Sequence, residues 1–369
     1  MTQKPRRHSP NPVRGLTVLT GLLIVFLGSH SLLGNNSDEA ATPITQSDIP
    51  LTIAQPGRYV VTEHLSMGRS NGRAAIWIEA DDVHLDLNGF SLSGPLSSVD
   101  QCFTGEVGVG ILVAGAEGVQ ITNGTVQGFS EGIWLSLANA NRLRGLTVTA
   151  TCFWGLRLSG TAHVVTRNGV SSNLGAGILL QADNTRLTQN TVNGNAAVRP
   201  ESEDYDYAGM MLNGARGNVI AANDISGNGI DTGAHGVNLM GSRNNTIRGN
   251  RFHQNGRNGI HLETSSGNTI VANVVSASGS YGIFLTEARY GFIGQSIGNL
   301  IRANISLGNR IGIAVDADHY GNTFTRNTAL RNTITDVVDN GASPSGVGCP
   351  NLWKNNTFVT EAGNFDCIQ

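Results

Sequence analysis

Nine times along this chain a glycine followed by an apolar residue heads the same short phrase: GILV at Gly110, GIWL at Gly132, GLRL at Gly155, GILL at Gly177, GMML at Gly209, GVNL at Gly236, GIHL at Gly259, GIFL at Gly282 and GIAV at Gly312. The steps between these glycines are 22, 23, 22, 32, 27, 23, 23 and 30 residues. A period near 22 with occasional insertions is the mark of a stacked repeat. Asparagine keeps the same beat at positions 123, 168, 190, 223, 250, 273, 304 and 327, with Gly145 in the one vacant slot. Short β-branched runs separated by Gly and Asn at this pitch read as strands joined by tight turns. One coil cannot bury its own apolar face, whereas stacked coils share a continuous core. Asn tolerates the left-handed backbone of a sharp turn, and stacked Asn side chains hydrogen-bond from coil to coil. The expected fold is therefore all-β: a single elongated right-handed parallel β-helix, a solenoid of about 10–11 coils.

A solenoid grows by adding coils, so 369 residues need only one domain. A net charge of −3 and the lack of a basic stripe argue against a nucleic-acid partner. Lys4, Arg6, Arg7 and Arg14 precede an apolar run from Leu16 to Leu27, followed by Gly28, Ser29 and Ser31. This pattern reads as an export signal cleaved near Ser31, or as an uncleaved membrane anchor. It puts the protein in the periplasm or outside the cell, touching a membrane only through that segment if it is retained. The expected layout is a signal or anchor at 1–34, a linker at 35–43, an N-terminal cap at 44–74, repeats at 75–340 and a C-terminal cap at 341–369. In an exported chain Cys102, Cys152, Cys349 and Cys367 favour two disulfides over a metal site. Cys349 with Cys367 would staple the C-terminal cap, where Trp353 and Phe358 close the open end; Cys102 with Cys152 would join two coils.

Measured against the repeat, three insertions enter at one corner, just upstream of the Gly-Ile strand: roughly Gly94–Gly108, Asn195–Ala208 and Gly227–His235. A fourth, near Glu287–Gly298, enters elsewhere. Insertions gathered on one side of a solenoid build its binding face. Strand residues alternate inward and outward, so one outward column holds Trp134, Arg157, Asn238 and His261, and the next holds Gln181, Asn213 and Glu263. Apolar platforms mixed with such polar groups suit a carbohydrate groove, with Trp134 as a stacking surface or as packing beneath the Cys102 loop. The longest insertion reads AAVRPESEDYDYAG and carries Asp204, Tyr205, Asp206 and Tyr207; the next carries Asp231 and His235, and Arg257 precedes the strand of His261 and Glu263. Such a group can supply an acid, a base and a charge stabiliser. The acidic loop, Asp204 and Asp206 foremost, also suits calcium, a hard cation that takes oxygen ligands.

With its Gly-Ile and Asn ladder over about Ala75–Val338, and ADDVHLDLNGFSLSG at Ala80–Gly94, the chain resembles the bacterial right-handed parallel β-helix repeat proteins, which include NosD-like and pectin-lyase-like members. That resemblance implies action on an acidic polysaccharide along the outer face of a sheet, by a lyase- or epimerase-like reaction. His261, Tyr205 or Tyr207 would be the base, Arg157 or Arg257 would neutralise the substrate carboxylate, and Asp204, Asp206 and Asp231 would hold calcium. A hydrolase would instead pair Asp231 with Glu263. The chain departs from the family motifs in several places. Tyr281-Gly282-Ile283 only partly resembles the Tyr-Gly-Phe-Asp-Pro-His signature of alginate epimerases, no Arg-centred pectate-lyase motif is present, and no Asp-Asp pair of the polygalacturonase kind stands at a matching strand end, Asp81-Asp82 reading as a turn before a strand of the first coil. The other reading is a non-catalytic β-helix that binds a glycan or a surface partner.

Overall fold

A computed structural model describes residues 40–69, 72–96, 102, 107–197, 207–287, 294–342 and 348–368. The N-terminal segment read as an export signal or anchor lies outside the described residues, as do Asp204, Tyr205 and Asp206. Within the repeats the Gly-Ile phrases form one sheet of 13 parallel strands, from Leu51–Ile53 to Glu361–Gly363. That is more than the repeat alone suggests, because the segments before Gly110 and after Gly312 also coil in register: Leu51 pairs with Ile76, Ile76 with Ile111, and Val337 with Glu361. The rest of each coil feeds a 22-strand sheet, most coils contributing two short strands such as Val219–Ala221 and Asp224–Ser226.

The core is a set of columns. Ile111, Ile133, Leu156, Ile178, Met210, Val237, Ile260, Ile283 and Ile313 follow one another in register along the 13-strand sheet. All nine are essentially inaccessible to solvent. Each fully buried aliphatic side chain contributes about 1.5–3 kcal/mol. The repeat glycines are needed because the coils approach closely there. A Cβ on Gly259 would stand 2.1 Å from Val275 Cγ1 and 2.9 Å from the Gly282 carbonyl.

Three polar ladders hold the corners of the coil. In one, the backbone N–H of each rung donates to the side-chain oxygen of the next through Asn168, Asn190, Asn223, Asn250, Asn273, Asn304, Asn327 and Asn356. A second runs through Asn218, Asn245, Asn268, Asn299, Asn322 and Asn351. A third includes Asn173, Asn195, Asn228 and Asn255. The ladder asparagines do not take the left-handed backbone themselves, contrary to the expectation from composition. It falls on the residue before them: Arg167, Gln189, Ala222, Gly249, Ala272, Ala303 and Arg326 have φ between 53° and 61°. The turn is thus made one residue early, which leaves the Asn in ordinary backbone with its amide aimed along the stack.

The C-terminal end closes over Asp339, whose carboxylate accepts from Asn351 Nδ2 at 3.0 Å and from Trp353 Nε1 at 2.7 Å. Trp353 stacks on Phe324 with ring centroids 4.0 Å apart. Cys349 is bonded to Cys367, and Cys102 to Cys152.

Candidate functional site

The outward columns form as alternation requires. Trp134, Arg157, Leu179, Met211, Asn238, His261, Phe284 and Ala314 are consecutive partners across the 13-strand sheet. They do not form one open groove. Leu179, Met211 and Met240 make a second apolar cluster with Ala208, against which Trp154 packs. Asn238 and His261 beyond it are buried as well. Along that column the flanks keep partial exposure, Trp134 and Arg157 on one side and Phe284 on the other.

The buried centre gathers His235, His261 and Glu263, each offering one ligand-type atom within 4.8 Å of the others. His235 opens the strand His235–Met240, and His261 and Glu263 belong to Ile260–Glu263, one strand along. Gly236 and Gly259 bring these strands together, while Val237, Leu239, Ile260 and Leu262 anchor them from inside. His261 and Glu263, 2% and 3% exposed, lie on the outward side of one strand, with His261 Nδ1 3.1 Å from Glu263 Oε1. The contact is at ion-pair distance, although the N–H direction is poorly aligned for a linear hydrogen bond. The rings of His235 and His261 are 4.3 Å apart, Phe284 stacks parallel to His261 at 5.5 Å, and Tyr281 stacks on Phe284 at 4.1 Å. Asn238, fully buried beside His261, has both amide atoms without a hydrogen-bond partner among the described residues.

Two histidines and a carboxylate suggest a metal centre by count. The hydrogen bonding of His235 argues otherwise. The Asn258 backbone N–H donates to His235 Nδ1 at 3.3 Å. A neutral imidazole has one lone pair for such use, so the ring proton sits on Nε2. Metal-bound histidines carry the opposite arrangement, donating from the nitrogen that does not hold the metal. Glu263 beside His261 Nδ1 favours the ring proton on that nitrogen.

The remaining candidates separate from this centre. Asp231 is exposed on the turn closed by Gly233 N–H to the Gly229 carbonyl, outside the buried group of His235, His261 and Glu263. Tyr207 is half-buried and accepts the His235 backbone N–H at 3.0 Å, which sets it next to the cluster. Arg257 is half-buried in the turn ahead of His261, its backbone bonded to Ala234 and Ser280. Gln181 is exposed and Asn213 half-buried at the strand ends. Arg157 is not an available carboxylate partner. Its Nη1 donates to Glu131 Oε1 at 3.1 Å, and its guanidinium carbon lies 4.3 Å from the Trp134 ring centre and 5.0 Å from that of Trp154. Trp134 therefore gives one face to Arg157. Burial pushes the Glu131 carboxyl above the usual range, and Arg157 pulls it back.

Glu131, Trp154 and Tyr281 were not read from the sequence as site residues. A signal existed: each directly precedes a repeat glycine, as His235 does, and that position also points outward.

The family described as right handed beta helix region matches residues 70–200 and 109–293, together more than half of the chain. No curated protein matches by sequence. Among solved structures, the Dettilon tailspike protein is similar with a TM-score of 0.61 and 17% identity over 80% of this chain, which spans only 62% of the tailspike. PfbA, a surface adhesin of Streptococcus pneumoniae, gives 0.56 and 11% identity over 79% of this chain and 86% of its own. The A-module of the Azotobacter vinelandii mannuronan C-5 epimerase AlgE6 gives 0.52 and 14% identity, covering 84% of this chain and 91% of the module. At these identities the likeness is one of fold.

Proposed function

The chain belongs to the right-handed β-helix family, and on that footing we propose that it acts on an acidic polysaccharide lying along the outward face of the 13-strand sheet. His261 is the base, taking the proton from the carbon beside a uronate carboxylate. The carrying observation is the 3.1 Å contact of His261 Nδ1 with Glu263 Oε1 on that face. Glu263 keeps the ring proton on Nδ1 and stabilises the imidazolium once Nε2 has accepted the substrate proton. The C–H electrons pass into the carboxylate as an enolate-like dianion. That dianion either expels the adjacent glycosidic oxygen, as in a lyase, or is reprotonated on the opposite face, as in an epimerase. Similarity to the mannuronan epimerase module supports the class of substrate, and the two disulfides support an exported, oxidising setting.

The test is incubation of polymannuronate and polygalacturonate in deuterated water followed by NMR, which reads deuterium exchanged into C5 for an epimerase and a new vinylic signal from the C4=C5 double bond for a lyase. Exchange that is lost in His261→Gln supports the reading. Failure of the wild-type chain to give either C5 deuteration or an unsaturated end on either polymer sinks it.

A second reading rests on a specific observation: His261 and Glu263 are almost wholly buried, so a polymer reaches them only if the groups above them move. A β-helix that binds glycan without turnover has no such need. Binding of a polyuronate with neither deuterium exchange nor chain cleavage would select this reading.

A further inference from the structure

Well away from His261 on the same face, four side chains touch one another. Arg157 precedes His261 by four strand steps, through Leu179, Met211 and Asn238, roughly 19 Å at the usual strand spacing. Glu131 Oε1 accepts from Arg157 Nη1 at 3.1 Å, and the guanidinium lies over the rings of both Trp134 and Trp154. Inside this group three polar atoms are buried without a hydrogen-bond partner among the described residues: Glu131 Oε2, Arg157 Nε and Trp154 Nε1. Glu131 is only 8% exposed. Buried polar atoms are normally paired, and one acceptor with two donors left open in the same place calls for an explanation.

The chemistry of the open valences defines what closes them. A hydroxyl group both donates and accepts. Neighbouring hydroxyls on one ring can donate to Glu131 Oε2 while accepting from Arg157 Nε and Trp154 Nε1. A carboxylate cannot do this, since it only accepts and would face Glu131. The charges of Glu131 and Arg157 cancel, so the group offers no net attraction to an anion. The aromatic rings add apolar surface of the kind that packs against the C–H face of a sugar. Arg157 keeps 27% of its side chain exposed, and Trp134 is half-buried, so the group opens to solvent on that side. Cys152, two residues before Trp154, is bonded to Cys102 and ties the first insertion to this edge.

We propose that Glu131, Arg157 and Trp154, together with Trp134, form a binding site for a neutral, hydroxyl-rich sugar. This site is separate from His261 and does not depend on the reaction proposed there. Should both hold, the natural glycan carries a uronate at the base and a neutral sugar several residues away.

The experiment is calorimetric titration of the full chain with neutral hexasaccharides of glucose, mannose and galactose, and with hexagalacturonate. At least one neutral hexasaccharide should bind about tenfold more tightly than hexagalacturonate. Trp154→Phe keeps a ring and removes only the N–H, and it should weaken that binding about tenfold, the worth of one hydrogen bond. Glu131→Gln should weaken it at least as much, and His261→Gln should leave it unchanged. The proposal is overturned if no neutral hexasaccharide binds, or if binding survives Trp154→Phe at full strength; the latter variant decides alone if Glu131→Gln does not fold. Loss of deuterium exchange in His261→Gln is read separately, so either proposal can fail without the other.

Discussion

His163 Nδ1 accepts the backbone N–H of Asn141 at 3.3 Å, so an imidazole occupies a rung that asparagine fills elsewhere in the stack. His319 does the same for Ser296 at 3.0 Å. Burial holds both rings below the usual histidine range; at His163 the carbonyl of Ser159 opposes that shift, and at His319 the charges of Asp316, Glu287 and Asp318 do. A histidine whose folded value is depressed binds fewer protons folded than unfolded. Its contribution to stability is therefore complete above the unfolded value of 6.5 and is lost as pH falls below it toward the folded value. The loss is at most about 1.4 kcal/mol per pH unit for each ring. His163→Asn supplies a rung that does not titrate, so it should flatten the decline in urea midpoint between neutral and mildly acidic pH. An unchanged pH slope in the variant would refute this account.

The ladders should be most sensitive at mid-stack. Asn223 accepts from the backbone and the side chain of Asn190, and its amide donates to the Leu187 carbonyl and to Asn250 Oδ1. Asn223→Ala strands several buried partners and should cost about 3 kcal/mol or more. Asn356→Ala, at the half-buried last rung, lets water replace what is lost and should cost about 1 kcal/mol. Urea unfolding of the two variants gives the order directly; equal losses would mean that the ladder is not the unit of stability.

The disulfides close loops of different length, with separations of 50 residues for Cys102–Cys152 and 18 for Cys349–Cys367. Restriction of the unfolded chain predicts stabilisation of about 4 and about 3 kcal/mol respectively. Removing each pair as a double Cys→Ala variant should lower the melting temperature, with the longer loop costing more. The reverse order would show that native packing at the C-terminal end outweighs chain entropy.

Glu263→Gln leaves the volume beside His261 nearly unchanged and removes the charge that favours the Nδ1–H tautomer. Deuterium exchange into the polyuronate should fall about 100- to 10,000-fold, with little change in polymer binding. Exchange at the wild-type rate would remove Glu263 from the reaction.

Much of this was legible in the chain itself. The Gly-apolar phrase and the Asn beat specify parallel stacking, because a residue that recurs once per coil stands beside its own kind in the next one. Alternation along the strand then assigns Trp134, Arg157, Asn238 and His261 to one outward column. The repeats Asn218–Asn223–Asn228 and Asn245–Asn250–Asn255 contain three rungs per coil, although only the middle one stands out until the coil geometry shows where the corners fall.

What the tertiary structure decided is the state of each outward side chain. Column membership says which residues are neighbours but not which rotamers they adopt or what lies above them. Only the folded chain turns Arg157 onto Glu131 and two tryptophans, takes His261 out of water beside Glu263, leaves Asp231 exposed on its turn, and puts the left-handed residue just before the asparagines from Asn168 to Asn327 in the first ladder. Periodicity fixes order along the axis because it is a property of the backbone repeat. Burial and protonation at the site depend on lateral contacts between side chains and insertions, which obey no period.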